Sequence, residues 1–343
     1  MPVGTSATVK AVTQQMLEDL GFGLILANTY HLYLRPGHEL IRRLGGLHRF
    51  MAWPRAILTD SGGYQVFSLA ELRRINDDGV LFRSHLDGSE HFLTPEAAVD
   101  IQLALGSDIA MVLDECIEAP APRELAARAM HRTFSWARRS KLHFAAQADT
   151  ERQWQFGIVQ GGTFEDLRRE SADQITSLDF PGYAIGGLAV GEPHDTTCAM
   201  TAAVTPRLPE NRPRYLMGVG KPEHLADYVA CGIDLMDCVL PTRAARHGCL
   251  YTWRGRILIK NARYADDPRP LDESCGCFVC RRYSRAYLRH LFASGELLAH
   301  ILHTHHNLYF YQRVMEKIRS ALSSGSFSAV QAELRAAAGT LPD

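Results

Sequence analysis

Cys275, Cys277 and Cys280 lie within six positions of one another, and His303, His305 and His306 follow them. Thiolates and imidazole suit a four-coordinate Zn²⁺, and four protein ligands leave no open position for a substrate or a reactive water. The cluster therefore predicts a structural metal site, and the Cys-x-Cys-x-x-Cys spacing does not choose among the histidines. Chemistry is then expected at a second set of residues, each closing a short apolar run: Asn28, Asp60-Ser61-Gly62-Gly63, Asp114-Glu115, Gln160-Gly161-Gly162, Gly186-Gly187-Leu188, Met217-Gly218 and Asp237. Carboxylates without histidine suggest substitution at an acetal-like carbon, where one ionised acid attacks and a proton-bearing second acid assists the leaving group. Asp237 and Asp60 are candidates for those roles. Asp114 and Gln160 could instead read the edge of a heterocycle, matching ring N–H, exocyclic amine and carbonyl groups. Backbone N–H groups at Gly187 and Leu188 would add donors, and Tyr64 and Met217 could sandwich a planar ring. The substrate inferred is a purine-like base on a sugar.

Such residues converge only if the apolar runs are strands whose ends share one face. Eight runs recur, at Met1–Gly4, Leu24–Asn28, Ala56–Asp60, Ile109–Asp114, Phe156–Gln160, Tyr183–Leu188, Arg214–Gly218 and Asp234–Cys238, each giving way to a helix-like segment. Repeated βα units of this kind predict a (β/α)₈ TIM barrel, an α/β fold whose chemistry sits at the C-terminal ends of its strands. Thr94-Pro95-Glu96 and Thr163 before Glu165 and Asp166 read as helix starts. Two interruptions are expected. Asp78-Gly79 and Asp87-Gly88 mark turns around a hairpin inserted between Ser68 and Phe92, and a zinc-binding subdomain at 257–307 is inserted in an otherwise single barrel spanning 1–343.

The 343 residues carry 46% hydrophobic and 22% charged side chains with a net charge of −1. No stretch approaches about 18 continuous apolar residues, which argues against a membrane span. Cys116, Cys198, Cys231, Cys238 and Cys249 are scattered singly, which fits a reducing cytoplasm better than a disulfide framework. From Arg243 to Arg289 eleven Lys or Arg face four Asp or Glu, a local excess of 11 − 4 = +7. Almost all are arginine, whose planar donors suit phosphate and base contacts, so nucleic acid is the expected partner.

The ordered motifs Asp60-Ser-Gly-Gly-Tyr-Gln, Gln160-Gly-Gly, Gly186-Gly-Leu-Ala-Val-Gly-Glu192, Met217-Gly-Val-Gly and Asp237-Cys-Val-Leu-Pro-Thr-Arg243 resemble the tRNA-guanine transglycosylase family across essentially the whole chain. The resemblance implies that Asp237 is the nucleophile on C1′ of the wobble guanosine in a GUN anticodon and that Asp60 is the general acid/base. It implies that Asp60, Ser61, Gly62, Gly63, Tyr64, Asp114, Gln160, Gly187, Leu188 and Met217 surround the base. Gly218, Val219, Gly220, Lys221, Pro222, Glu223 and His224, with Thr242, Arg243, Ala244, Ala245 and Arg246, would contact the tRNA anticodon loop. The family's structural zinc site selects His306 as partner of Cys275, Cys277 and Cys280. The implied reaction is a double displacement in which guanine leaves, a ribosyl-aspartate forms and a 7-deazaguanine takes its place, as a step of queuosine biosynthesis. Cys116 and Ala189-Val190 resemble the bacterial branch, whose incoming base is the aminomethyl precursor preQ1.

The family usually carries preceding strands and a longer first barrel strand, so a start at Met1-Pro-Val-Gly-Thr predicts a short first strand, an exposed barrel floor and lowered stability. Ala244 and His247 replace asparagines common in the family's arginine loop, which bears on RNA affinity. Tyr283, Tyr287 and His290 at i, i+4, i+7 read as one helical face, and the family's dimeric habit makes it a homodimer contact. Three other readings compete. A non-catalytic RNA-binding subunit is disfavoured by the presence of both Asp60 and Asp237. A DNA-directed relative is disfavoured by Thr242-Arg243 and Arg246, and a metal-dependent barrel hydrolase by the lack of paired histidines after the first strand.

Overall fold

Eight short strands, Val3–Gly4, Leu24–Ala27, Ala56–Thr59, Ile109–Met111, Trp154–Val159, Gly182–Ile185, Arg214–Leu216 and Leu235–Met236, pair in chain order, every neighbouring pair parallel. A parallel bridge between Pro2 and Cys238 joins the last strand to the first and closes a (β/α)₈ barrel. The computed structural model describes residues 1–69 and 73–338. The strands read as continuous apolar runs because helices outside and side chains inside bury both faces; Gly182–Ile185 is buried at every position. Several strands stop short of the predicted runs. Ile109–Met111 leaves the sheet before Val112 and Leu113, which remain buried while carrying the chain to Asp114.

Helix starts follow the expected chemistry in one case and not in the other. The Thr94 hydroxyl accepts the Ala97 N–H at 3.1 Å and Pro95 occupies the first turn of Pro95–Leu105. Thr163, by contrast, does not cap: helix Glu165–Thr176 is entered from Phe164 with no side-chain cap bond. Glu165 and Asp166 alone serve its first turn, where negative charge suits the helix dipole.

The insertion between Ser68 and Phe92 is a three-stranded antiparallel sheet rather than a hairpin, with Arg73–Ile75 added beside Val80–Arg83 and Glu90–Leu93. The extra strand is short and mostly basic, so its sequence carries no alternating pattern. The Asn76 side chain builds its turn by accepting the N–H groups of Asp78 and Gly79, both at 3.0 Å. Residues 70–72 of the predicted insertion lie outside the described residues.

After the barrel strands come a hairpin, Cys249–Thr252 with Gly255–Leu258, the helices Phe278–Arg282 and Arg285–Ala293, and the long helix Leu297–Ser324. They enclose a separate apolar cluster that includes Leu250, Ile257, Ile259, Tyr264, Leu271, Leu288 and Leu291. Tyr283 is not on the helical face predicted for it. The Ser284 hydroxyl accepts the Tyr287 N–H at 3.2 Å and starts a new helix, leaving Tyr283 between two helices. The two tyrosines still meet, their rings stacked with centroids 5.5 Å apart. Fully buried Asn307 ties the long helix to its surroundings, its Oδ1 accepting the Tyr251 N–H and its Nδ2 donating to the carbonyls of Pro241 and Cys249, each at 3.0 Å. No helix among the described residues is long and apolar enough to cross a membrane.

Candidate active site and metal site

The ends of the barrel strands surround a cavity of ≈ 300 Å³ lined by Asn28, Asp60, Ser61, Tyr64, Asp114, Gly186, Gly187, Leu188, Met217, Gly218 and Asp237, among others. Each carboxylate is held by groups from a neighbouring strand end. Asp60 Oδ1 accepts the Thr29 N–H at 2.8 Å, and its Oδ2 accepts from Asn28 Nδ2 at 2.5 Å and Gln65 Nε2 at 2.9 Å. Burial outweighs these bonds and pushes the Asp60 carboxyl up to about 6. Asp237 Oδ1 accepts the Tyr215 hydroxyl at 2.6 Å and the Gly218 N–H at 2.7 Å. Among the described residues Asp237 Oδ2 accepts no hydrogen bond, so one oxygen of this carboxylate is left for the cavity.

Asp114 lies deeper. Its Oδ2 accepts Gln160 Nε2 at 2.7 Å and its Oδ1 the Ser61 hydroxyl at 3.3 Å, and burial pushes this carboxyl up to about 6 as well. Gln160 reaches the site through Asp114 rather than by lining the cavity. Gly62 and Gly63 also stay behind the wall, where the Gly63 N–H donates to the Ser61 hydroxyl. Tyr64 stands half exposed at the rim and Met217 is partly buried. Gly187 has φ +62°, and a Cβ there would come 2.2 Å from Gln160 Oε1, so only glycine lets this backbone approach the amide. Next along the chain, the Glu192 carboxylate accepts the N–H groups of Ala189 at 2.5 Å and Val190 at 3.1 Å.

Several residues that shape the site escaped the sequence reading. Tyr215 was hidden as an ordinary strand residue, Gln65 and Cys116 were quoted only within the resemblance and given no place in the site, and His31 lines the cavity unforeseen. Arg168, fully buried, donates to four backbone carbonyls at the ends of the fifth and sixth strands. Its signal was present: Arg168, Ser171, Ala172 and Ile175 are all buried at helical spacing, which puts a cation on an inward face.

The two segments expected to meet nucleic acid flank the cavity. In the first, Gly218 and Lys221 are exposed, Val219, Gly220 and Pro222 are buried, and His224 stacks on His194 with centroids 3.5 Å apart. The second is a short helix, Leu240–Arg246, rather than a loop; Arg243 is exposed while Thr242 and Ala245 are buried. Val239, just before it, lines the cavity.

Cys275, Cys277, Cys280 and His306 bring their ligand atoms within 4.8 Å of one another, all four residues buried. His306 Nδ1 lies 3.9, 3.5 and 3.5 Å from the three Sγ atoms in that order. Metal–sulfur bonds of about 2.3 Å and metal–nitrogen bonds of about 2.0–2.1 Å at tetrahedral angles place S and N roughly 3.5 Å apart, so the cluster can hold such an ion. His306 Nε2 bonds the Tyr251 carbonyl at 2.8 Å, which fixes the ring and leaves Nδ1 as the ligand atom. His303, fully buried, and His305 lie outside this group of four; His305 packs edge-on against Phe278 and its ring also reaches Cys277.

A family profile described as queuine tRNA-ribosyltransferase matches residues 1–339. The chain is 56% identical over 337 residues to the queuine tRNA-ribosyltransferase of Koribacter versatilis, covering 96% of this chain and 88% of the relative. It is 58% identical over 322 residues to that of Caldanaerobacter subterraneus subsp. tengcongensis, covering 94% and 85%. It is 58% identical over 330 residues to that of Solibacter usitatus, covering 95% and 87%.

Asp60 and Asp114 have carboxyls raised from 3.8 to about 6 in the fold. Between these values the folded chain holds more protons than the unfolded one, so stability falls as pH rises through that window and stays lower above it. Replacing Asp114 by Asn is expected to flatten this slope and to raise stability near neutral pH by about 1–3 kcal/mol. Urea unfolding across the window checks this; an unchanged slope or a less stable variant counts against it.

Proposed function

The chain belongs to the queuine tRNA-ribosyltransferase family, and we propose that it exchanges the wobble guanine of tRNAs with GUN anticodons for preQ1, 7-aminomethyl-7-deazaguanine, through a covalent ribosyl-aspartate. Membership makes it a pentosyltransferase of the tRNA-guanine transglycosylase type. The observation that carries the finer reading is the pair of carboxylates on one cavity, with Asp237 offering a free oxygen and Asp60 raised to about 6. Asp237 attacks C1′ as the C1′–N9 bond breaks, the bonding pair leaving with guanine. Asp60 in its proton-bearing form supplies the proton, and as carboxylate takes one from the incoming base. Two inversions at C1′ give overall retention, and holding the RNA covalently prevents strand loss between them.

Asp114 and Gln160 are proposed to read the heterocycle's edge, with Ser61, Gly62 and Gly63 supporting Asp114, backbone groups of Gly187 and Leu188 opposite, and Tyr64 and Met217 on the ring faces. Because Ala189 N–H is held by Glu192, the planar peptide turns the Leu188 carbonyl the other way. An acceptor carbonyl beside the cavity suits a cationic aminomethyl group, which supports preQ1. Residues 218–224 and 242–246 are assigned to the anticodon loop. The metal is proposed to be one Zn²⁺ held by Cys275, Cys277, Cys280 and His306, closing a 257–307 subdomain within a single 1–343 barrel unit. With four protein ligands the ion supplies structural cross-linking and no chemistry. Tyr283, Tyr287 and His290 are proposed as a homodimer contact, supported by the 40% exposure of Tyr287. A cytoplasmic site of action follows from tRNA as substrate.

Exchange of labelled guanine into tRNA carrying a wobble guanosine tests the reaction. The parent chain should incorporate label, Asp237→Asn should lose at least ~10⁴-fold, and preQ1 should compete better than queuine. No incorporation by the parent, or full incorporation by the variant, rejects the mechanism. The zinc assignment expects about one zinc per chain by elemental analysis. Stripping it should lower the melting midpoint by about 10 °C or more and weaken tRNA retention, while a chain of unaltered stability after stripping contradicts it. The dimer contact predicts a dimeric mass in solution at micromolar concentration; a monomeric mass there removes it.

A further inference from the structure

Arg168 sits on the helix Glu165–Thr176 that follows the fifth strand, and its side chain is 0% exposed. Its hydrogen bonds run to carbonyls alone: Nε to Gly162 at 2.7 Å, Nη1 to Gly186 at 2.6 Å and Val159 at 3.2 Å, and Nη2 to Gly187 at 3.0 Å. Burial lowers this guanidinium to about 10, so it stays cationic at neutral pH. A buried cation without a hydrogen-bonded acid is a costly feature, and a purely structural tie between two loops could be made by a neutral amide. The helix backbone that carries it lies close against the loop after the fifth strand. Gly161 has φ +133°, and a Cβ there would come 2.8 Å from the Arg168 backbone nitrogen.

The geometry of the peptide gives the cation a use. In a trans peptide the N–H points opposite the C=O. Drawing the carbonyls of Gly186 and Gly187 towards Arg168 therefore turns the N–H groups of Gly187 and Leu188 away from it. Gly186, Gly187 and Leu188 line the cavity while Arg168 does not. Neither N–H donates a hydrogen bond among the described residues. A charge-assisted bond to each carbonyl also polarises its peptide and makes the N–H on the other side a stronger donor.

We propose that Arg168 is a positioning residue that turns the N–H groups of Gly187 and Leu188 into a pair of anion-stabilising donors for the ring carbonyl of the departing purine. This rests on the base-exchange reading above. As the C1′–N9 bond breaks and the Asp237 oxygen bonds to C1′, the electron pair left on N9 delocalises through the ring onto that carbonyl oxygen. Two prepositioned donors, backed by a fixed charge that water cannot screen, hold this charge more strongly in the transition state than in the bound ground state. The effect therefore falls on kcat, with little change in how tRNA binds.

Guanine exchange into tRNA by Arg168→Gln and Arg168→Lys, each first checked for a native melting profile, tests the assignment. The Gln variant should lose ~10²-fold in kcat with KM for tRNA within about twofold. The Lys variant, which keeps the charge with fewer donors, should recover part of the loss. A folded Gln variant within about threefold of parental kcat, or Lys and Gln variants equally impaired, overturns the proposal. If the Gln variant does not fold, the Lys variant and the parent decide. The Lys variant should fall below the parent in kcat while its KM for tRNA stays within about twofold. An unimpaired Lys variant, or one whose loss lies in KM with kcat unchanged, overturns it. A parent chain that exchanges no guanine would instead strike the base-exchange reading, so the two failures are distinguishable.

Discussion

Asp60, Asp114 and Asp237 at the barrel mouth are all buried, and a buried acid must find donors. This requirement organises the strand ends. Asp60 takes donors from Asn28 and Thr29 on the strand before it and from Gln65 on its own helix, and Asp114 takes them from Ser61 before it and Gln160 after it. Asp237 draws on Tyr215 and Gly218 of the preceding strand. Each carboxylate is thus oriented by its neighbours in the sheet, so the register of the strands sets the positions of the carboxylates around the cavity. Burial and hydrogen bonding act in opposite directions on the acids, and at Asp60 and Asp114 burial wins.

The region after the eighth strand works by the same logic with different groups. Consecutive residues of the long helix grip one residue of the hairpin: His306 bonds the Tyr251 carbonyl and Asn307 accepts the Tyr251 N–H. Asn307 also binds the Pro241 carbonyl, inside the helix that bears Arg243 and Arg246. A metal on His306 would therefore brace, through Tyr251 and Asn307, the basic segment beside the cavity. The metal cluster and the acids are coupled through backbone, at a distance from one another.

The barrel was legible because eight apolar runs ended in glycine or polar residues and helices followed them. That Asp60, Asp114, Gln160 and Asp237 gather at one end of the barrel, and that three thiols crowd together, was legible because such residue types rarely close successive apolar runs or cluster so tightly. His306 could not be chosen from spacing, since His303 and His305 share its neighbourhood; the family resemblance selected it, and the fold gathers its ring with the three sulfurs. Arg73–Ile75 was missed because a basic three-residue strand has no alternation to read. The Tyr283 placement failed because Ser284, a capping residue, restarts the helix inside what looked like one continuous face. Tyr215 and Arg168 act through partners far away in sequence, Asp237 and the carbonyls of Gly186 and Gly187. Local pattern carries no record of such pairs.

One consequence concerns the evolvability of the pocket. The wall beside Gln160 is bare backbone at Gly186 and Gly187, where an added Cβ would strike Gln160 within 2.9 and 2.2 Å. Mutation there is closed, because the smallest step already collides with an amide that Asp114 holds in place. The rim, built from the side chains of Tyr64, Met217 and Val239, carries no such restriction. Substitution can therefore reshape the exposed edge of the cavity while its glycine wall stays fixed, so change in what the cavity accepts is channelled outward from the buried face to the solvent edge.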